Sequence, residues 1–370
     1  MKNIDKYRGC LIGGAVGDAL GYAVEFLEDS QIFRKYGKDG ISEYDLVDGV
    51  ALISDDTQMT LFTANGLLLG TTRGMTRGIM GDYSSYIGLC YKDWLRTQTA
   101  DEFGFEKPEY SWLNNVPAMN HSRAPGRTCI SYLMHNNLGS TTSPKNNSKG
   151  CGGVMRVAPI GLYFEGKPYT SDQIDMIGAE AAALTHGHEL GYIPAAMLVH
   201  IIHILAHSDT ATVLDAVNDA KEAIVRLFPK SEHISEMNRL TDKAIQLASE
   251  DNIDDLDAIR ELGQGWVAEE TLAIAIYCAL KYENDFEEAM IASVNHSGDS
   301  DSTGAVTGNI LGAHLGMNRI PGKFLTNLEL KDTILEIADD LFNDCKITEY
   351  GSYQDEVWEQ KYIYHTYPNK

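Results

Sequence analysis

GCLIGGAVGDALGYAVEF, residues 9–26, combines apolar residues with glycine and alanine at short intervals. Small residues at this spacing permit two helix backbones to approach closely, which is the structural interpretation of the glycines. No strand pattern precedes them, so they do not form a dinucleotide-binding fingerprint. Asp18 and Glu25 are seven residues apart, and they share one side of the helix if it continues that far. Glu25 is a candidate acid or base near a helix end, although spacing alone favours a surface carboxylate.

Helical periodicity extends through the rest of the chain. Apolar residues at helical spacing occupy residues 172–185, 211–228, 234–248, 269–281, 302–316 and 330–341. The first of these segments begins after Thr170, which together with Gln173 fits a capping box. Alternating strand patterns are nearly absent. The sequence therefore predicts an all-α fold, a compact orthogonal helical bundle.

The chain is predicted to form a single domain over residues 1–370. Helix breakers cluster in 100–127 and 139–153, which predicts loops there. Helices of similar character stand on both sides of each loop, so one domain is favoured over two. Recognisable motifs lie within residues 7–316, and residues 317–370 are expected to form a C-terminal helical extension.

The charge balance excludes some classes of partner. The 370 residues include 30 Lys and Arg against 53 Asp and Glu, a formal net charge of −23. Phosphate backbones and anionic lipid surfaces need clustered basic residues, so neither nucleic acid nor a membrane surface is expected as a partner. No apolar run is expected to reach the roughly 18 residues of a membrane span. The six cysteines form no Cys-x-x-Cys pair and are expected to be reduced thiols, so a cytoplasmic location is predicted.

Two short segments place carboxylates beside hydroxyl groups. They are Ser54-Asp55-Asp56-Thr57 and Gly298-Asp299-Ser300-Asp301-Ser302-Thr303. Each precedes an apolar helical run, so capping of a helix N-terminus explains part of the pattern. Capping does not need two carboxylates with flanking hydroxyls in both segments. Hard oxygen ligands of this kind suit Mg²⁺, Mn²⁺ or Ca²⁺, so a cation site is the second interpretation.

A glycine-rich loop and several histidines are further candidates. Residues 149–156, KGCGGVMR, offer unhindered backbone N–H groups and cations ahead of a helical segment, which suits a phosphate as well as a plain turn. His186 stands at a helix end, where the helix dipole favours it. His200, His203 and His207 lie along one apolar helix, and we expect them to line its edge rather than to bind metal.

Taken in order, these segments resemble the ADP-ribosylglycohydrolase family. The matching pieces are Gly17-Asp18-Ala-Leu-Gly with Glu25, Ser54–Thr57, Gly150–Arg156, Thr185-His186, Gly263-Gln-Gly-Trp266-Val-Ala-Glu-Glu270 and Gly298–Ser302. The resemblance spans roughly residues 7–316 and implies a central site with two divalent cations, Mg²⁺ or Mn²⁺. The implied metal ligands are Ser54, Asp55, Asp56, Asp299, Asp301 and Ser302. Many relatives have Thr in place of Ser54 and Ser302, but Ser keeps the hydroxyl.

The resemblance also implies roles in catalysis and substrate binding. Glu25 corresponds to the family's candidate acid or base, and Asp55 and Asp56 complete the implied catalytic set. The implied substrate-binding residues are Gly150, Cys151, Gly152, Gly153, Met155, Arg156, His186 and Trp266. The loop would hold the pyrophosphate and distal ribose, His186 the ribose or phosphates, and Trp266 would lie near the adenine.

The activity implied by the resemblance is hydrolysis at C1″ of ADP-ribose, which releases ADP-ribose from a modified protein. ADP-ribosyl-arginine is the first candidate substrate. An ADP-ribosyl-serine or a small ADP-ribosyl molecule is an alternative. Two other classes also remain: a two-metal hydrolase of the nucleotide pyrophosphate, and a catalytically silent protein that binds ADP-ribose.

Overall fold

A computed structural model describes residues 2–99, 109–250 and 252–367 of the chain. Within these residues the regular secondary structure is helical, and pairing of extended segments is limited to three isolated bridges. The predicted all-α fold is therefore confirmed. Residues 100–108 of the first predicted loop and residues 368–370 of the predicted extension lie outside the described residues.

The described residues form 17 α-helices. In the first half of the chain these are α1 (Ile4–Tyr22), α2 (Asp29–Tyr36), α3 (Asp55–Arg77), α4 (Tyr83–Thr99), α5 (Arg127–Met134), α6 (Ala158–Tyr163), α7 (Ser171–Ala183) and α8 (Glu189–His207). In the second half they are α9 (Val213–Leu227), α10 (Ile234–Ala248), α11 (Asp255–Leu262), α12 (Ala268–Lys281), α13 (Phe286–Val294), α14 (Ser300–Leu315), α15 (Gly322–Leu325), α16 (Lys331–Asn343) and α17 (Glu356–Tyr362).

Helix boundaries follow local capping chemistry. Thr170 and Gln173 form the predicted capping box at the start of α7. Ser54 caps α3, where its hydroxyl accepts a hydrogen bond from the N–H of Asp56. The first helix does not continue to Glu25: α1 ends at Tyr22, and Glu25 lies in the turn that follows, so Asp18 and Glu25 do not share one helix.

The central contact of the fold is between α1 and α14, which pack along their lengths. Glycines of α1 face glycines of α14, so that the two backbones touch. A Cβ added to Gly13 would lie 2.3 Å from the carbonyl oxygen of Gly308, and one added to Gly17 would lie 2.0 Å from that of Gly304. No side chain fits at these distances, so the close packing expected from the glycines is confirmed.

Helix α8 runs through the interior. By length and composition it could cross a membrane, so the expectation that no apolar run reaches that length is wrong. However, 83% of its apolar window is buried by other parts of the chain. A helix that is apolar on all sides is typical of the core of a large protein, and α8 packs against α6, α7, α9, α12 and α14.

The glycine contact predicts the outcome of a single substitution. Gly13→Ala should lower the free energy of unfolding by about 1–3 kcal/mol or more, because the added methyl group clashes with the backbone of α14. Gly322→Ala is the matched control, since a Cβ there meets no atom within 4 Å. It should change stability by less than about 1 kcal/mol. Urea denaturation measures both, and equal effects would contradict the packing argument.

Candidate active site

The N-termini of α3 and α14 meet in the interior of the protein. Asp55 and Asp56 begin α3, and Asp299 immediately precedes α14. The hydroxyl of Ser302 donates to Asp56 Oδ2 at 2.8 Å and so joins the two helices. Since the positive end of a helix dipole favours carboxylates, both acidic segments are held where the backbone stabilises negative charge.

Asp18 on α1 holds the start of α3 in place. Its Oδ1 accepts from the N–H of Ser54 at 2.9 Å, and its Oδ2 accepts from the N–H of Thr57 at 3.0 Å and from the Thr57 hydroxyl. Burial raises the pKa of Asp18 to about 7, with a further contribution from Asp301. Sequence reasoning gave Asp18 no role, because its partners are 36 to 39 residues away.

Five buried carboxylates line the meeting point of the helices. They are Glu25, Asp55, Asp56, Asp299 and Asp301. One ligand oxygen each from Glu25, Asp299 and Asp301 lies within 4.8 Å of the others. Burial raises the pKa of Glu25 to about 10, and repulsion from Asp301 and Asp299 adds to this.

The cluster fits a hard divalent cation. The pKa values of Asp55 and Asp299 are also raised, first by burial and then by the charge of Asp301. Glu25 Oε2 is buried and has no hydrogen-bond partner among the described residues. A buried, mutually repelling set of oxygen donors is stabilised by a cation of high charge density, and such donors suit Mg²⁺ or Mn²⁺.

The predicted glycine-rich loop forms one wall of the same site. Cys151–Gly153 adopt a 3₁₀ turn, and the N–H of Cys151 donates to the carbonyl of Trp266 at 3.2 Å. A Cβ at Gly152 would lie 3.0 Å from the His186 ring, so glycine lets the loop lie directly on the imidazole. Lys149, just before the turn, forms an ion pair with Glu269.

His186 faces this loop with its Nε2. Arg156 donates to the hydroxyl of Thr185 at 2.7 Å, and that hydroxyl lies 2.9 Å from His186 Nδ1. When the Thr185 hydroxyl donates its own hydrogen to Nδ1, the imidazole proton is on Nε2. Burial and the charge of Arg156 lower the pKa of His186 to about 3, so the ring is a neutral donor.

The carboxylates and the loop enclose a pocket of about 200 Å³. The predicted site residues that line it are Glu25, Asp55, Asp56, Gly150, Cys151, Gly152, Met155, His186, Trp266, Asp299, Asp301 and Ser302. Ser54, Gly153 and Arg156 do not line it. Ser54 is buried as the cap of α3, and a Cβ at Gly153 would meet the Gly191 carbonyl at 2.6 Å.

The structure corrects the expectation for Arg156. Its side chain is fully buried, and the guanidinium lies over the ring of Tyr91, 4.3 Å from the ring centre. It also donates to the carbonyl of Ala181 at 3.0 Å. Arg156 therefore positions Thr185 and His186 from the protein interior and does not reach into the pocket. The loop pattern suggested a phosphate ligand because sequence does not show which way an arginine points.

Sequence reasoning missed one side of the pocket. Ala124 and Gly126–Cys129 line it, and they come from the end of a predicted loop and the start of α5. The N–H of Gly126 donates to Asp55 Oδ2 at 3.3 Å, which ties this segment to the carboxylates. Arg127 is the exposed cation of the lining. The sequence signal that could have identified this segment is Gly126 followed by Arg127 at the start of a helix.

Trp266 stands at the edge of the pocket and is 41% exposed. Its ring stacks on Phe26, with ring centres 6.3 Å apart and an angle of 22° between the planes. Phe26 directly follows Glu25 and is 72% exposed. The pair therefore offers an accessible aromatic surface beside the carboxylates.

Together, the fold and the site define an all-α protein with a buried carboxylate centre beside a glycine-rich binding loop. The family model described as ADP-ribosylglycohydrolase matches residues 1–350. The chain belongs to the ADP-ribosylglycohydrolase family, whose members hydrolyse ADP-ribosyl linkages.

Individual relatives agree with this family membership. ADP-ribosylhydrolase ARH3 of Danio rerio is 24% identical and the match covers 92% of this chain and 90% of the relative. ADP-ribosyl-[dinitrogen reductase] glycohydrolase of Rhodospirillum rubrum is 25% identical, over 88% and 91% of the two chains. A solved structure described as an ADP-ribosylglycohydrolase-related protein complex has the same fold, with a TM-score of 0.57 over 92% of this chain and 98% of that chain, at 24% identity.

The raised carboxylate pKa values predict a pH-dependent response to cations. Protons compete with a cation for these groups, since their folded-state pKa values lie above the unfolded ones. Metal-free protein should therefore gain stability as the pH falls, whereas the increase in Tm caused by Mg²⁺ should be larger at pH about 8 than at about 6. Differential scanning fluorimetry with Mg²⁺ or a chelator measures this increase. The same increase at both pH values, or an unchanged one in Asp301→Asn, would contradict the assignment.

Proposed function

We propose that this protein is a divalent-cation-dependent hydrolase that cleaves the glycosidic bond at C1″ of ADP-ribose and releases ADP-ribose from a modified protein. The observation that carries the proposal is the buried set of five carboxylates facing the glycine-rich loop across one pocket. Family membership supports the reaction class.

In this proposal the cations are held by the two helix starts. Their ligands would come from Ser54, Asp55, Asp56, Asp299, Asp301 and Ser302. Bound Mg²⁺ or Mn²⁺ would neutralise the carboxylates and supply Lewis-acid assistance at the ribose. Asp18 contributes by fixing the backbone of Ser54 and Thr57, so that the ligands are placed before substrate binds.

Glu25 is proposed as the acid or base. Its unpartnered Oε2 lies in the pocket wall, next to Asp299 and Asp301. A carboxyl with a raised pKa can hold a proton for the leaving group and later accept one from water. Cation binding nearby would lower that pKa towards neutrality, because positive charge favours the ionised form.

The opposite side of the pocket is proposed to bind the rest of ADP-ribose. Backbone groups of Gly150–Gly152 and the Nε2–H of His186 would face the pyrophosphate and distal ribose. Arg127 at the start of α5 adds a cation for the phosphates. Trp266 is proposed as the aromatic neighbour of the adenine.

ADP-ribosyl-arginine is the proposed acceptor linkage, with ADP-ribosyl-serine and small ADP-ribosyl molecules as alternatives. The relative in Rhodospirillum rubrum is named for its action on ADP-ribosyl-dinitrogen reductase, and a relative in Pseudomonas putida, 21% identical, is named an ADP-ribosylarginine hydrolase. These names support a protein substrate.

Product analysis tests the proposed reaction. Wild-type protein with Mg²⁺ or Mn²⁺ should release intact ADP-ribose from at least one of Arg-, Ser- and Asp/Glu-linked peptides, separated by chromatography. Asp301→Asn should lower the rate by about 100-fold or more, because one of the charged groups at the reaction centre is lost. Asp257→Asn is the matched control, since that side chain is 66% exposed on α11.

The other outcomes of this experiment identify the alternatives. Release of AMP would indicate a pyrophosphohydrolase and overturn glycosidic cleavage. Binding of ADP-ribose without turnover of any linkage would indicate a catalytically silent protein.

The tautomer of His186 provides a separate test. Thr185→Val removes the hydroxyl that bonds Nδ1 and leaves the Arg156–Ala181 hydrogen bond in place. The affinity for ADP-ribose should fall about 3- to 10-fold, the range expected for one misdirected hydrogen bond. Isothermal titration calorimetry measures this affinity. Thr241→Val is the matched control, because Thr241 is also buried and its hydroxyl donates to the Met237 carbonyl within α10. This variant should bind ADP-ribose like wild type. Equal losses of affinity in both variants would refute the role of Thr185.

A further inference from the structure

A second group of metal-ligating side chains lies outside the pocket, where the C-terminal turn of α8 meets the turn after α6. One ligand atom each from Glu165, His203 and His207 lies within 4.8 Å of the others. All three side chains are half-buried, so an ion can reach them from solvent. None of them lines the candidate active site.

The two histidines are oriented as metal ligands usually are. His203 Nδ1 donates to the carbonyl of Gly161 at 3.1 Å, and His207 Nδ1 donates to the carbonyl of His203 at 2.9 Å. Each bond fixes the ring and the tautomer, and it places the lone pair on Nε2, the atom that would bind an ion. Histidines one helical turn apart can bind the same ion.

The protonation state also suits metal binding. Burial lowers the pKa of His203, and it lowers that of His207 to about 3, so both rings are neutral at physiological pH. A neutral imidazole is the form that binds metal, and no proton has to be displaced. Glu165 supplies a carboxylate from the turn after α6.

The surroundings of His207 favour a cation as well. Tyr7 Oη is within hydrogen-bond distance of both the carbonyl of Leu162 and His207 Nε2, at 3.0 Å from the latter. It has a single hydrogen, so the two acceptors compete for it. A cation on Nε2 would leave that hydrogen to Leu162.

We propose that Glu165, His203 and His207 form a binding site for a divalent transition metal of the Zn²⁺ type, distinct from the carboxylate centre. Two imidazoles and one carboxylate are a donor set that Zn²⁺ accepts, with bonds of about 2.0–2.2 Å. The three ligand atoms lie within 4.8 Å of one another, so small side-chain movements would bring them to bonding distance of one ion. The ion would link the end of α8 to the turn after α6.

The site should prefer Zn²⁺ to Mg²⁺. Imidazole nitrogen is a good ligand for Zn²⁺, whereas Mg²⁺ prefers oxygen. Lys2 lies near enough to lower the pKa of His207, and it also interacts with Glu165. The positive charge of Lys2 repels any cation at this site. The affinity must therefore come mainly from the bonds between the ion and the two imidazole nitrogens.

The experiment titrates untagged, full-length protein with Zn²⁺ against a chromophoric chelator, in excess Mg²⁺ so that the carboxylate centre is saturated. Wild-type protein should bind one equivalent of Zn²⁺. His203→Asn, His207→Asn and Glu165→Gln should each weaken this binding by at least about tenfold. Asparagine is chosen because its amide nitrogen can replace the Nδ1 hydrogen bond while the Nε2 ligand is lost.

His135→Asn is the matched control. His135 is exposed at the end of α5, and its Nδ1 bonds the carbonyl of Ser131, four residues earlier, as His207 does with His203. The His135→Asn variant should bind Zn²⁺ like wild type, and so should the Asp301→Asn variant. The melting temperature and the Mg²⁺-supported activity of the three site variants verify their folding.

Three results would overturn the proposal. They are absence of Zn²⁺ binding by wild type in excess Mg²⁺, site variants that bind as tightly as His135→Asn, and loss of the Zn²⁺ equivalent in Asp301→Asn. The last result would place the ion in the carboxylate centre.

Discussion

The backbone contact between α1 and α14 is the constraint on which the site depends. Gly13 and Gly17 face Gly308 and Gly304 with no room for a Cβ, so the two helices have one register and one separation. Asp18, on the same helix α1, accepts hydrogen bonds from the backbone at the start of α3. Because the N-terminus of α14 is fixed by the same contact, the acidic segments of α3 and α14 meet. A helix pair that varied in spacing by an ångström would not hold carboxylates at ligand distance.

Electrostatics explains why this arrangement is costly without a cation. Desolvation and mutual repulsion both raise the pKa values of the carboxylates, and the converging helix dipoles offset only part of this. The side of the pocket formed by the glycine-rich loop and His186 is built differently, since Arg156 is buried next to His186 and acts through Thr185. The site thus separates a charged region, suited to cations, from a region of backbone and imidazole donors suited to phosphate.

Much of the fold and the site could be predicted from local sequence. Periodicity and capping identified α7, α9, α10 and α16, because both depend on residues within a few positions of each other. The acidic segments and the glycine-rich loop stood out for the same reason. The predictions failed where the outcome depends on the direction of a side chain or on contacts between residues far apart in the sequence. Sequence did not show that Arg156 points away from the pocket, that α1 ends before Glu25, or that the segment at Gly126 closes one side.

The sequence by itself determined the all-α class, the two acidic segments and the family resemblance, since these are properties of short segments and their order. Only the tertiary structure decided which polar groups share a site. On α8, helical spacing alone does not distinguish His200 from His203 and His207. His200 pairs with Asp175, whereas the other two face Glu165, because separate turns and helices pack against successive positions of α8. A ligand group needs atoms within a few ångströms, and in this protein that proximity comes from helix packing rather than from sequence spacing.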